Sequence, residues 1–499
     1  MTTDTTFPVP SAGPVRDDPA APPGPPGRRG AARPRRTSLR PLVLRIHFYA
    51  GVLVAPLLVV ACITGLLYTA MPQVEPLVHH RELRVDPPPG AGPIALVDQV
   101  RAARAAHPEG TVASVRPAPE PDATTRVILD VPGLPDGYQR TVFVDPYRGE
   151  VRGALQTFGE WLPVRAWFDG LHRNLHLGET GRLYSETAAA WLWVVVLGGV
   201  LLWAGRRRQA RRRTGPSAPA PKGTRRRTVN RHALVGIVAA LGLLGLSATG
   251  LTWSKHTGER VSALRDAVSW QTPAVDAGAP VDEHAGHAGH GGEAEGGSSV
   301  GEPERLSPID DAVRTAGTAG LVAPLEVTPP AQDGAAWTVQ EAHRAWPVRQ
   351  DAVAVNATGV RITDVSRFAD WPIGAKLTEW GVNAHMGLLF GLANQLVLAA
   401  LAIALLVLIV LGYRMWWQRR PKRGPRLRVG RPTPRGAWRH LPWPALVPLA
   451  LVTVAVGWAI PPLGVTLAAF LLLDGLAGLV RHRARPAAAV SASHPKDPR

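Results

Sequence analysis

Six stretches of the chain are apolar on every side: residues 46–70, 186–204, 232–253, 387–412, 445–460 and 463–480. A helix that is hydrophobic all round belongs in lipid or in a large core, and roughly 20 apolar residues cross a bilayer. The pattern predicts an α-helical polytopic membrane protein and excludes an ordinary soluble globular enzyme. Two long polar segments separate the first run from the second and the third from the fourth. Within them, 94–106 and 308–316 read as helix, and 126–131, 141–144, 337–340 and 352–355 read as strands. Asp145-Pro146-Tyr147-Arg148-Gly149 and Asn356-Ala357-Thr358-Gly359 read as turns. Small α+β modules outside the membrane are expected.

Charge adds an orientation. The chain carries 56 Lys and Arg against 38 Asp and Glu. Of these cations, 34 lie in the N-terminal tail through Arg45, the 206–231 and 414–439 loops and the tail after Val480. The same four segments hold only Asp4, Asp17, Asp18 and Asp497 as acids. Positive loops stay in the cytoplasm, so both termini are expected there and both long segments outside. The excess charge is a topology signal and a match for anionic lipid, with no nucleic-acid partner expected. The first apolar run is too long and too late for a cleaved signal peptide and reads as an uncleaved anchor. The first 40 residues, rich in Pro, Gly and Arg, read as a disordered tail. Cys62 is the one cysteine, which excludes internal disulfides and cysteine-held clusters.

The third run repeats the first. His47-x3-Gly51-x12-Thr64-Gly65-Leu66 matches His232-x3-Gly236-x12-Thr249-Gly250-Leu251 without a gap. Asn174-Leu175-His176-Leu177-Gly178 likewise matches Asn383-Ala384-His385-Met386-Gly387. Each half therefore reads as span, outer loop, span. The repeat sorts four histidines into His47 with His232 at the inner face and His176 with His385 at the outer face. Ionisable residues at membrane spans are costly and usually functional. Paired imidazoles between apolar helices are how a haem is held. Gly51 and Gly236, four residues after the inner histidines, lie on the same helical face and would open a flat slot. The bland alternative is a set of polar anchors at the interface, and Thr64-Gly65 and Thr249-Gly250 read as helix packing. His172 and His256 are alternative outer ligands. The tryptophans 191, 193, 203 and 253 read as interfacial anchors.

At these residues the chain resembles the PepSY-associated transmembrane helix family, also described as iron-regulated membrane proteins. Leu171-His172-Arg173-Asn174-Leu175-His176-Leu177-Gly178-Glu179-Thr180-Gly181 and Val144-Asp145-Pro146-Tyr147-Arg148-Gly149-Glu150-Val151 carry the likeness, with the repeats above. It covers about 40–420 and implies two extracytoplasmic α+β PepSY-like modules on duplicated span–loop–span halves, plus a C-terminal helical hairpin. The expected organisation is a tail at 1–40, spans at 41–71, 171–205, 232–254 and 376–413, and a hairpin at 443–480. Outer segments fall at 72–170 and 255–375, basic cytoplasmic loops at 206–231 and 414–442, and a final tail at 481–499. The resemblance to di-haem siderophore-iron reductases implies two b-type haems held by His47, His176, His232 and His385 in a bacterial cytoplasmic membrane. Electrons would pass from a separate donor, a quinol or a cytoplasmic reductant, to ferric iron or a ferric siderophore outside. The competing readings are a non-redox PepSY scaffold or sensor that binds an outer protein or peptide, and a metal-handling protein. The last would use His284, His287 and His290, whose imidazoles could hold Cu(II) or Zn(II).

Two details test the haem reading. His385 precedes Arg414 by 29 residues, which one continuous helix would stretch to about 45 Å. That exceeds the roughly 30 Å hydrocarbon core, so the helix must tilt, break or rise above the lipid. Asp474, inside the last run, is expected to pair with a nearby Arg such as Arg481.

Overall fold

A computed structural model of the protein describes residues 39–212, 224–278, 301–345, 348–419 and 442–483. The first apolar run is a bent pair, α1 (Arg40–Leu53) and α2 (Ala55–Tyr68), meeting at 57°. Pro56 in the first turn of α2 explains the break, because proline supplies no N–H to the preceding helix and crowds its carbonyls. Two short helices follow, α3 (Met71–Val78) and α4 (His80–Leu83). The first outer segment is α5 (Leu96–Ala106) and strands β1 (Thr111–Arg116), β2 (Thr125–Asp130), β3 (Tyr138–Val144) and β4 (Val151–Phe158). The chain returns through α6 (Pro163–Asn174) and α7 (Gly178–Arg211), then rises in α8 (Thr224–Thr252) and α9 (Lys255–Ala267). The second outer segment is α10 (Glu302–Leu306), α11 (Ile309–Thr318), β5 (Leu325–Thr328), β6 (Trp337–Glu341), β7 (Ala352–Val355) and β8 (Ile362–Ser366). Helices α12 (Ile373–His385), α13 (Leu392–Trp417), α14 (Trp443–Ala459) and α15 (Pro461–Arg483) complete the described chain.

Among the described residues, α7, α8, α13 and the 461–480 part of α15 are long and apolar enough to cross a membrane. The bent α1–α2 pair makes a fifth if it is one span. The run at 445–460 forms the shorter α14, whose 17 residues reach about 25 Å. The spans anticipated at 171–205 and 376–413 are each broken. α6 ends at Asn174 with Leu175 left-handed, and α12 ends at His385 before a turn in which Gly387 and Gly391 have positive φ. These breaks remove the 45 Å difficulty, since His385 does not continue into α13.

All eight strands form one antiparallel sheet in the order β4-β3-β2-β1-β5-β6-β7-β8. Each outer segment contributes a four-strand meander, and β1 joins β5 at Val115 opposite Val327. The alternation of the strands then does two different things. Val115, Val127, Leu129, Val142, Val327, Val339 and Val353 point to one face, where α5 and α11 cover them with Val100, Ala103, Ile309 and Ala312. Burying each such Val, Leu or Ile contributes about 1.5–3 kcal/mol before the entropy of ordering. On the other face Arg116 binds Glu326 at 2.8 Å and Glu160 at 3.4 Å, and Arg344 bridges Glu160 at 3.3 Å to Glu379 of α12 at 3.6 Å. This ionic layer ties the sheet to the helices that enter the membrane.

The C-terminal pair packs on the first two spans. Arg45 of α1, which is buried, meets Asp474 of α15 at 2.6 Å, so Asp474 reaches across the bundle to Arg45. Trp191 Nε1 donates to Thr466 Oγ1 at 2.8 Å. Trp191 is thus inside the helix bundle and does not act as an interfacial anchor. Asp474→Leu should lower the thermal unfolding midpoint in detergent by several degrees, because it removes the carboxylate that meets the buried Arg45 guanidinium, a loss of up to about 3–5 kcal/mol. The double variant Arg45→Met/Asp474→Leu should recover most of the loss.

Candidate functional site

Imidazole has two nitrogens, and what holds one decides what the other can do. On α1, His47 Nδ1 lies 2.9 Å from the carbonyl oxygen of Val195 on α7. A carbonyl only accepts, so Nδ1 carries the proton and donates it. On α8, His232 Nδ1 lies 3.2 Å from the carbonyl oxygen of Leu408 on α13 and must also donate. Each Nε2 is left as a bare lone pair, with no hydrogen-bond partner among the described residues. The two rings face each other, with centroids 6.2 Å apart and planes at 79°. That separation is about what two metal–nitrogen bonds of about 2 Å each plus two ring radii would occupy.

Small residues make this approach possible. A Cβ at Gly198 of α7 would lie 3.3 Å from the His47 Cβ, and one at Gly199 would lie 3.3 Å from its Cε1. On the other side Gly412 of α13 faces His232 Cε1 at 4.0 Å. These three glycines seat the inner rings, and sequence reasoning missed them; the adjacent Gly198-Gly199 inside an apolar helix is the signal that could have found them. A Cβ at Gly51 would meet nothing within 4 Å, and one at Gly236 would meet Leu408 at an ordinary 3.6 Å. Gly51 therefore leaves open space one helical turn beyond His47, while Gly236 serves packing.

The outer layer uses the two Thr-Gly pairs. Thr64 Oγ1 on α2 donates to the carbonyl of Val60 at 2.9 Å, which leaves its lone pairs to accept from His172 Nδ1, also at 2.9 Å. Thr249 Oγ1 on α8 donates to the carbonyl of Gly245 at 2.8 Å and accepts from His385 Nδ1 at 2.7 Å. A Cβ at Gly65 would come 3.0 Å from His172 Cε1, and one at Gly250 would come 3.5 Å from His385 Cε1. The repeated Thr-Gly pairs, read from sequence as helix packing, each seat an imidazole. Again Nδ1 is the donor and Nε2 has no hydrogen-bond partner among the described residues. His172 and His385 stand within each other's electrostatic field.

The structure does not bring His176 to His385. His176 lies beyond the end of α6, is exposed, has φ of 55°, and stacks on Trp167 with centroids 5.1 Å apart. His172, four residues earlier, occupies the place facing Thr64. His256 is exposed on α9, where Glu186 accepts from the backbone N–H of Thr257 at 2.8 Å. On α8, His232 and Thr249 are 17 residues apart, which separates the two layers by about 25 Å. Among the described residues no group of three or more His, Cys, Asp or Glu is arranged to hold a bare metal ion. His284, His287 and His290 lie outside the described residues.

Just outside the outer layer, Glu75 of α3 packs against the N-terminus of α6. Burial outweighs the Arg165 and Arg126 guanidiniums and the backbone N–H groups of Leu162 and Arg165, and raises its pKa to about 7. Between about 4.5 and about 7 the folded chain keeps a proton that the unfolded chain has released, so stability falls as pH rises through that window. Glu75→Gln should abolish that fall. Thermal midpoints across the window should drop for the wild type and stay flatter for the variant, the curves separating by about 1–3 kcal/mol.

A family model described as the PepSY-associated TM region matches residues 44–419. No curated protein matches the chain.

Proposed function

The chain belongs to the PepSY-associated TM region family, and from that premise and the four held imidazoles we propose that it is a membrane b-haem protein that moves electrons across the bilayer. Two haems are assigned, an inner one to His47 and His232 and an outer one to His172 and His385. The observation that carries this reading is the common state of the four rings: Nδ1–H donated to a fixed oxygen, Nε2 free, a glycine against each ring. Metal-bound histidines are oriented in this way, by a hydrogen bond from the nitrogen that does not bind. The residues present fit the group, since apolar helices surround both layers and Gly51 leaves room beside the inner one.

When bound, each haem supplies a one-electron Fe(III)/Fe(II) couple within the membrane. The chain's own part is to fix the ligand tautomers, exclude water and hold the layers apart. Positive-inside charge puts the His47 layer on the cytoplasmic side, with both termini in the cytoplasm of a bacterial cell. The electron donor is a quinol or a separate cytoplasmic reductant. The acceptor is ferric iron or a ferric siderophore on the sheet side, which releases the metal once reduced because Fe(II) is held less tightly by hard oxygen ligands.

Purified protein should show a Soret band and an α-band that sharpens with dithionite. His47→Ala or His232→Ala should each remove about one of two haems, and His172→Ala or His385→Ala the other. His176→Ala should keep both. Thr249→Val should weaken haem binding at the outer layer about 10–100-fold by releasing the His385 ring. Colourless protein from haem-replete cells, or equal haem in all the alanine variants, overturns the reading and favours a non-redox scaffold.

A further inference from the structure

Arg165 stands out among the buried cations. It lies on α6 seven residues before His172, on the same helical face and about 10 Å nearer the sheet. It is 6 % exposed, its guanidinium stacks 3.7 Å from the Trp161 ring centroid, and its Nε donates to the Tyr68 hydroxyl at 3.0 Å. Tyr68 is one turn beyond Thr64 on α2. The antiparallel pair α2–α6 therefore sets Thr64 with His172 at one level and Tyr68 with Arg165 at the next. Yet Nη2 of Arg165 is buried without a hydrogen-bond partner. No carboxylate lies within 4.0 Å of this guanidinium among the described residues, although Glu160, Asp169 and Glu75 are near enough to feel it.

Leaving a buried guanidinium N–H unmade costs free energy, and a desolvated cation calls for an anion. Arg116, in the same ionic layer, has Glu326 and Glu160 as direct partners. Arg165 has the stacking and the hydroxyl that fix its fork but no carboxylate to receive it. Arginine rather than lysine suits such a post, because its planar fork presents paired donors to a carboxylate.

We propose that Arg165, held by Tyr68 and Trp161, binds an acidic substituent on the rim of the porphyrin carried by His172 and His385. The inference rests on the haem reading. It makes Arg165 a binding residue for the edge of the group and a selector for porphyrins that carry carboxylates. A lipid phosphate offers the same anionic oxygens, so the test must separate the two.

The full-length chain, stripped of haem in detergent, is titrated with iron protoporphyrin and, in parallel, with its dimethyl ester, which has the same ring and iron but a neutral edge. Soret absorbance reports binding, and the outer site is the one lost in His172→Ala. The wild type should bind the diacid at that site about tenfold or more tightly than the diester, the worth of a charge-assisted hydrogen bond. In Arg165→Met the preference should shrink below about twofold, with diester affinity little changed; Arg165→Lys should restore part of it. A purely structural Arg165 would weaken both ligands equally, and that result overturns the proposal. Repeating the titration in phosphatidylcholine vesicles with and without phosphatidylglycerol identifies the anion. Loss of the diacid preference only when phosphatidylglycerol is present and Arg165 intact would mean a lipid phosphate takes the arginine, which also overturns it. If Arg165→Met does not fold, Tyr68→Phe, which removes only the hydroxyl, should still narrow the diacid preference, and an unchanged preference there counts against the proposal. A His172→Ala variant that loses no pigment would instead overturn the haem reading on which this rests.

Discussion

A neutral imidazole offers one donor and one lone pair, and everything proposed for this protein depends on which nitrogen has which. The bundle answers by setting a fixed oxygen against each Nδ1. Val195 and Leu408 present carbonyl oxygens, which cannot donate. Thr64 and Thr249 present hydroxyls whose protons go to the turn before them, which leaves lone pairs to accept from the rings. Two backbone carbonyls at the inner layer and two back-bonded threonine hydroxyls at the outer layer thus favour the same tautomer in all four rings. In a low-dielectric interior this matters twice. A carboxylate in that place would carry its own desolvation cost, while a helix carbonyl or a back-bonded threonine is present at no extra charge.

Much of this was legible in the chain and some was not. The apolar runs, the broad α+β pattern of the outer segments and the inner pair His47 and His232 could be read from periodicity and repetition. The outer pair could not be read from the repeat alone. His176 and His385 both stand 13 residues after a proline that starts a helix, Pro163 or Pro372. The alignment thus equates them, but α6 stops at Asn174 whereas α12 runs through His385. Two residues of helix length decide whether a histidine faces Thr-Gly or solvent, and helix ends are the least predictable part of an element. The Gly198-Gly199 pair was visible as two adjacent glycines in an apolar helix, but its use against His47 comes from a crossing with α1 that the pair itself does not record. Asp474 pairs with Arg45, 429 residues away, a partner that proximity along the chain does not show, while the Arg481 side chain lies outside the described residues.

The outer segments carry a second lesson about repeats. Each is a helix with a four-strand meander, and each meander alone would leave β1 or β5 as an open edge. Pairing those two edges makes one sheet and removes the liability of an unpaired strand. The same pairing aligns Arg116 of one meander with Glu326 of the other. The side turned toward the membrane helices becomes a shared ionic layer, linked through Glu160 and Arg344 to α12. The position of His385 is thus coupled to strands from both outer segments.

The helix breaks complete this logic. A continuous helix through His385 and Arg414 would carry the outer imidazole above the lipid. With the chain broken at Gly387 and Gly391, α12 can set His385 against Thr249, still inside the long apolar helix α8. The vertical distance between layers is then fixed by one helix that bears both His232 and Thr249, about 25 Å in a core of about 30 Å. The inner ring His232 and the Thr249 hydroxyl that meets His385 are thus carried by one helix, and the spacing of these two anchor points follows from α8 alone.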